Sequence, residues 1–250
     1  MEFTEPAGEL NMLCKFCHLE RNLIKAHVIP RSFFEIDPAE PPRLATNKDG
    51  TFPKRAPTGI YDTGLVCETC ERLFSRYDDY AQEFLVANRG AASQVLYEQQ
   101  VIAYNYGTYD YHKLKLFFLS LLWRASESSH VFYRRMELGP HEPKIRQAII
   151  DSDAGDADFY SVVLAKFPKP YGILDPHITR FDGVNFCQLY LAEYVAYIKV
   201  DKRPLSESFQ GLELNDGMSL VVLARDPANS KDTQVMRSVA LKNQKFMKRN

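Results

Sequence analysis

CKFCHLERNLIKAHVIPR, residues 14–31, opens on a C-x-x-C pair and carries His27 ten residues beyond it; a second pair, CETC, follows at residues 67–70. A C-x-x-C turn lets two thiolates reach one ion. Two such turns supply the four soft ligands that tetrahedral Zn²⁺ takes. We therefore expect a structural zinc site built by Cys14, Cys17, Cys67 and Cys70, the alternative being four small buried thiols paired by chance. A redox role is weaker, because neither pair sits in a βαβ pattern. Forty-nine residues separate the two pairs, whereas the halves of a zinc ribbon lie about 15 to 20 residues apart. The gap must therefore contain substructure of its own.

Working outward, residues 36–59, IDPAEPPRLATNKDGTFPKRAPTG, are rich in Pro, Gly and basic residues and read as a long exposed loop. Over residues 67–89, Leu73, Phe74, Tyr77, Tyr80, Ala81 and Phe84 recur at helical spacing, which predicts an amphipathic helix starting at the second cysteine pair. Residues 111–139 begin with a Leu- and Phe-rich run and read as a buried helix closed by Gly139 and Pro140, and a shorter helix is expected over 140–153. Trp123 and Arg124 lie at the end of that apolar run, where the simplest reading is helix core with a charged exit.

The last third changes character. Residues 158–167, 184–200 and 218–225 are rich in Val, Tyr, Leu and Phe and bounded by Pro, Gly and Asp, so they read as antiparallel strands packed on the long helix. Cys187 falls on one of them as an ordinary core residue. Residues 234–250 predict a basic C-terminal helix carrying Arg237, Lys242, Lys245, Lys248 and Arg249. The expected fold class is α+β, with a zinc-binding module over 10–88 and a second α+β domain over 89–250.

Composition bounds the function. Of 250 residues, 45% are hydrophobic, enough for a proper core, and 31 Lys plus Arg balance 32 Asp plus Glu. No global field draws the chain to nucleic acid or a membrane, so any such contact rests on local clusters. The acidic N-terminal stretch lacks the basic start and apolar core of a signal peptide. The strongest apolar run, residues 114–123, is about half the ~20 residues that span a bilayer. These features predict a cytoplasmic protein without a membrane partner, in which cysteines serve as thiols or metal ligands.

The order CKFC, KAHVIP and YDTGLVCETCE resembles the HNH endonucleases, whose ββα-metal core is commonly braced by a Cys₄ zinc site of treble-clef type; the resemblance covers residues 12–85. It implies that His27 takes the position of the general base, removing a proton from the water that attacks a phosphodiester. Asp62 falls where the family usually has asparagine and Glu71 where it has its last histidine. With Asp78, seven residues on and on the same helix face, they are the implied ligands of a catalytic Mg²⁺ or Mn²⁺. Ala26 stands where the acidic ligand before the histidine is usual. The resemblance implies metal-dependent cleavage of nucleic acid, with DNA favoured over RNA, in the manner of bacterial restriction or anti-phage components.

Each residue also has a plainer reading. His27 can be a buried hairpin histidine, Asp62 a turn cap, Glu71 a favourable charge in a first helical turn and Asp78 part of a solvated face. Lys25, Arg31, Lys54 and Arg55 are the candidate nucleic-acid contacts, joined by Arg43 and Lys48 on the long loop, against a solubilising loop as the alternative. Tyr61, Tyr77 and Tyr80 read as packing residues. The rival function is a non-catalytic treble-clef module that grips nucleic acid or protein. The C-terminal domain, which lacks phosphate loops or clustered carboxylates, is expected to serve recognition, scaffolding or a protein partner.

Overall fold

A computed structural model describes residues 11–34, 44–46, 54–55, 59–168, 173–191 and 193–226, with single positions 228, 230, 231, 234, 235 and 238. The chain starts as a hairpin of β1 (Met12–Leu13) and β2 (Glu20–Arg21), followed by β3 (Ala26–His27). Short strands β4 (Leu44–Thr46) and β5 (Lys54–Arg55) precede β6 (Tyr61–Asp62), which returns antiparallel to β3 with Ala26 opposite Asp62 and His27 opposite Tyr61. Helix α1 (Glu68–Ala81) follows and widens into a π turn over Gln82–Ala87. Two paired strands thus lie between the two cysteine pairs, and a helix begins at the second pair.

A hairpin of β7 (Ser93–Tyr97) and β8 (Gln100–Gly107) leads into α2 (Tyr111–Glu127). The hairpin is absent from the sequence expectation for a definite reason. Its turn is Glu98–Gln99, both in left-handed backbone at φ 46° and 65°, and it lacks the Asn-Gly or Asp-Gly signal that normally marks such turns. Every residue of β7 is exposed, so no alternation of burial betrays the strand either.

Asp110 starts α2 by accepting the Lys113 backbone N–H at 3.0 Å, an N-cap worth about 1 kcal/mol. All residues from Leu114 to Ala125 are buried, which makes α2 the central helix, apolar on nearly all sides. It stops at Glu127 rather than at Gly139: the Ser128 backbone turns extended, at ψ 134°, and the segment beyond forms only short 3₁₀ turns before α3 (Glu142–Asp151). The cause of that early stop lies at Asp62, described below.

The remaining strands are β9 (Val162–Lys166), β10 (Ile173–Leu174), β11 (His177–Phe181), β12 (Val184–Leu191), β13 (Tyr194–Lys199) and β14 (Leu220–Ala224). Seven form one sheet in the order β11-β12-β13-β9-β14-β8-β7, antiparallel except for β9 beside β14. The stretch 184–200 is therefore a hairpin, not one strand. Its turn contains Glu193, whose carboxylate meets Lys166 Nζ at 2.9 Å. Cys187 lies on β12, fully buried beside Met136 with Sγ to Sδ 3.6 Å, and burial pushes its thiol pKa up. The expected C-terminal helix, Arg43 and Lys48 lie largely outside the described residues, as do the side chains of Lys54 and Arg55.

The molecule is α+β, as expected from sequence, and buried side chains from the cysteine-bearing segment and the rest of the chain form one continuous core. Phe16, between the first two cysteines, packs edge-on against both Phe74 of α1 and Trp123 of α2, each at 4.9 Å between centroids. Among the described residues no helix is long and apolar enough to cross a membrane.

Candidate metal centre and its surroundings

The first cysteine pair sits at the tip of the β1–β2 hairpin. There His18 donates its backbone N–H to the Cys14 carbonyl at 2.8 Å and takes left-handed backbone at φ 58°. The second pair spans the N-terminus of α1, with Cys67 as its cap residue. Backbone hydrogen bonds from Lys15 to Leu65 (3.1 Å) and from Ile24 to Val66 (3.0 Å) stitch the two segments together. The turn of the hairpin and the first turn of the helix therefore face one another.

All four sulfurs lie within 4.8 Å of one another. Individual separations are 3.8 Å for Cys14 to Cys70, 4.0 Å for Cys17 to Cys67 and 3.6 Å for Cys67 to Cys70. A tetrahedral ion with bonds of about 2.3 Å requires sulfur separations of about 3.8 Å. The donor set is thus already spaced for a metal ion such as zinc. The Cys67 backbone N–H donates to Cys14 Sγ at 3.4 Å, a contact that favours thiolate. Burial raises the Cys14 pKa, but backbone N–H groups of Cys17, Cys67 and Phe16 outweigh it and bring the thiol down to about 7. Burial and the neighbouring Cys14 charge hold Cys70 up. A central cation is what would let all four ionise together.

The strand pair β3–β6 places His27 and Asp62 on neighbouring backbones, but their surroundings differ. Asp62 is 6% exposed. Its Oδ1 accepts the Gly64 N–H at 2.8 Å, and its Oδ2 accepts from Ser128 Oγ (2.8 Å), Ser129 N–H (2.7 Å) and Ser129 Oγ (2.9 Å). Burial raises its pKa, yet these donors win and hold the carboxyl below its usual value. Asp62 thereby ties β6 to the end of α2 and turns the chain at Ser128. Ala26 is fully buried and offers no ligand.

On α1, Asp78 faces inward and is clamped by Arg124 of α2, whose guanidinium donates to both carboxylate oxygens at 2.9 and 2.6 Å. Arg124 also donates to the His27 carbonyl at 3.1 Å and to Ser120 Oγ at 3.1 Å, lies above Phe74, and is wholly buried. Burial pushes Asp78 upward against the pull of Arg124; the bidentate geometry is that of an ionised pair. Glu71, one helical face with Asp78, keeps Oε2 buried and without a hydrogen bond. Its pKa is raised by burial, opposed by Arg124 and reinforced by Asp78.

Arg124 thus links Asp78 of α1 to the His27 backbone of β3, while Asp62 is turned towards Ser128 and Ser129. Arg124, Ser128 and Ser129 shape this region, and the sequence signals them only as a polar RASESS following an apolar run. Outside, exposed Lys25 places Nζ 3.5 Å from the centroid of the Tyr61 ring, and His27 meets the same ring edge-on at 6.1 Å. Arg31 is exposed nearby in sequence. Tyr77 and Tyr80 are hydrogen-bonded packing residues, through Ser152 and the Asp110 backbone.

These features define an α+β protein with a buried Cys₄ centre capable of holding a metal ion. Comparison with protein-family models, curated proteins and solved structures returned no match.

Proposed function

We propose that the N-terminal segment is a treble-clef module with a structural zinc ion, that it binds nucleic acid, and that it does so without assembling a catalytic divalent centre. The observation that carries this reading is the commitment of both inward aspartates. Asp62 accepts four hydrogen bonds from the protein itself, and Asp78 is neutralised by the buried guanidinium of Arg124. Neither carboxylate is available to Mg²⁺ or Mn²⁺, ions that demand several oxygen ligands. Binding is supported by the exposed Lys25–Tyr61 pair, which joins a cation for phosphate to a ring for a base, with Arg31 following in the same segment. Thiolate ligation of zinc also fits a reducing cytoplasm.

One observation favours the second reading, an HNH-like endonuclease. Glu71 Oε2 is buried without a hydrogen bond, and Arg124 bridges Asp78 to the His27 backbone carbonyl. In that reading His27 is the base and Glu71 the remaining metal ligand. The test combines binding and cleavage. Wild type, His27→Ala and Lys25→Glu are titrated with fluorescent DNA and RNA and incubated with plasmid plus Mg²⁺ or Mn²⁺. Binding weakened by Lys25→Glu, without nicking, supports the module. Nicking lost in His27→Ala overturns it in favour of the nuclease, and failure to bind either nucleic acid overturns both.

A further inference from the structure

The exposed apolar side chains are not spread evenly over the molecule. Val95, Leu96, Tyr97 and Ile102 cluster on the β7–β8 hairpin, with Leu96 60% and Tyr97 63% exposed. Single apolar residues in water need no explanation, whereas a contiguous group marks an interaction surface.

That surface lies on a sheet edge. β7 ends the seven-stranded sheet and, among the described residues, pairs only with β8. Its outward N–H and C=O groups therefore form a row open to another strand. Edges that stay in water are blunted by lysine, by proline or by a bulge. Ser93–Tyr97, SQVLY, has neither charge nor proline and keeps the ordinary length of five residues. The register slips once, between Val95 and Leu96, but the extra residue is Ile102 of β8, so β7 itself runs without an insertion. The strand at the opposite edge, β11, differs in carrying Arg180 and the buried His177.

The strand suits its own copy. A two-fold axis at Val95 sets β7 antiparallel to β7 of a second chain, with Val95 against Val95, Gln94 against Leu96 and Ser93 against Tyr97. No charge meets a like charge along the strand, and a neutral edge offers an acidic or basic partner nothing to steer it. Pairing joins two seven-stranded sheets into one continuous sheet, completes the open backbone row and takes Leu96 and Tyr97 out of water. The area covered is on the order of 1,000 Å², the small end of specific interfaces, which corresponds to a reversible dimer.

We propose that two copies of this chain associate through antiparallel pairing of their β7 edges, centred on Val95. The surface is independent of the metal centre and of what the N-terminal module binds. The test is sedimentation velocity of the full chain over about 1–200 µM, the range suited to an interface of this size. Wild type should pass from one chain mass to two as concentration rises. Val95→Glu and Val95→Lys each set like charges against one another across the axis, and each should weaken the dimer at least about tenfold. Mixing these two variants should restore a one-to-one dimer, because opposite charges then meet. Every residue of β7 is exposed, so circular dichroism and melting should show the variants folded; Leu96→Lys carries the same test should either melt early. A chain that stays monomeric throughout would leave the edge to a strand from another protein and overturn the proposal. So would growth beyond the dimer, a folded Val95→Glu variant that dimerises like wild type, or a mixture no more associated than its components.

Discussion

Lys115 offers the sharpest test of the fold's energetics. It is fully buried on α2, and its ammonium finds only long contacts, 3.4 Å to Tyr111 Oη and 3.3 Å to the Asp156 carbonyl. Burial lowers its pKa from 10.5 to about 8, with Asp156, Glu213 and Asp158 resisting and Lys199 reinforcing the shift. At about 1.4 kcal/mol per unit, that difference amounts to roughly 3 kcal/mol. The sign follows from proton counting. Between about pH 8 and 10.5 the unfolded chain holds a proton on Lys115 that the native chain has released, so this residue makes stability rise with pH. Below pH 8 both states are protonated and the full penalty stands. Lys115→Met keeps much of the volume and removes the charge, and the Asp156 carbonyl it leaves belongs to an exposed residue. The variant should be more stable than wild type at pH 7 by about 1–3 kcal/mol, and the advantage should shrink steadily towards pH 10. Urea unfolding of both proteins at half-unit pH intervals measures the difference, in which contributions from other titrating groups cancel. Parallel stability curves would show that Lys115 is not desolvated as described.

Two further outcomes follow from the metal-centre region. Cys70→Ser, or exhaustive chelation, should release about one zinc per chain and expose amides of residues 12–34 to hydrogen exchange before those of the seven-stranded sheet. Structural zinc contributes about 10–16 kcal/mol in isolated fingers, so a normally protected, zinc-free module would refute its role. Asp62→Ala should cost about 1–3 kcal/mol, because it removes a buried carboxylate that accepts four hydrogen bonds from half-buried and exposed donors. The Asp62 pKa is depressed below 3.8, so its contribution is present above that value and is lost as pH falls through the lower native one. The variant should accordingly flatten the acid limb of the stability profile, and an unchanged limb would count against the network.

Some of this architecture was legible because it rests on local pattern. The 3.6-residue recurrence from Leu73 to Phe84 marks α1, and the apolar run after Tyr111 marks a buried helix, since each reports the face a helix must hide. The β7–β8 hairpin left no such trace: its strand is exposed and its turn lacks glycine. The end of α2 was also hidden, because the helix stops where Ser128 and Ser129 turn towards Asp62, more than sixty positions earlier in the chain. The parallel pairing of β9 with β14 likewise depends on elements distant in sequence.

The candidate site divides in the same way. The four cysteines signal a shared metal site by type and spacing alone, since two C-x-x-C turns supply four thiolate ligands, and the fold brings their sulfurs within 4.8 Å. Whether the acidic residues around His27 are ligands or structural groups could not be read from spacing. Asp62 and Asp78 have the right chemistry for a divalent ion. The tertiary structure instead supplies each with internal donors, two serines from the end of α2 and the guanidinium of Arg124. The sequence alone determined the donor set of the candidate metal centre, because thiolate chemistry is carried by the residues themselves; which donors the carboxylates meet was decided by the fold, because Arg124 and the serines reach them from distant parts of the chain.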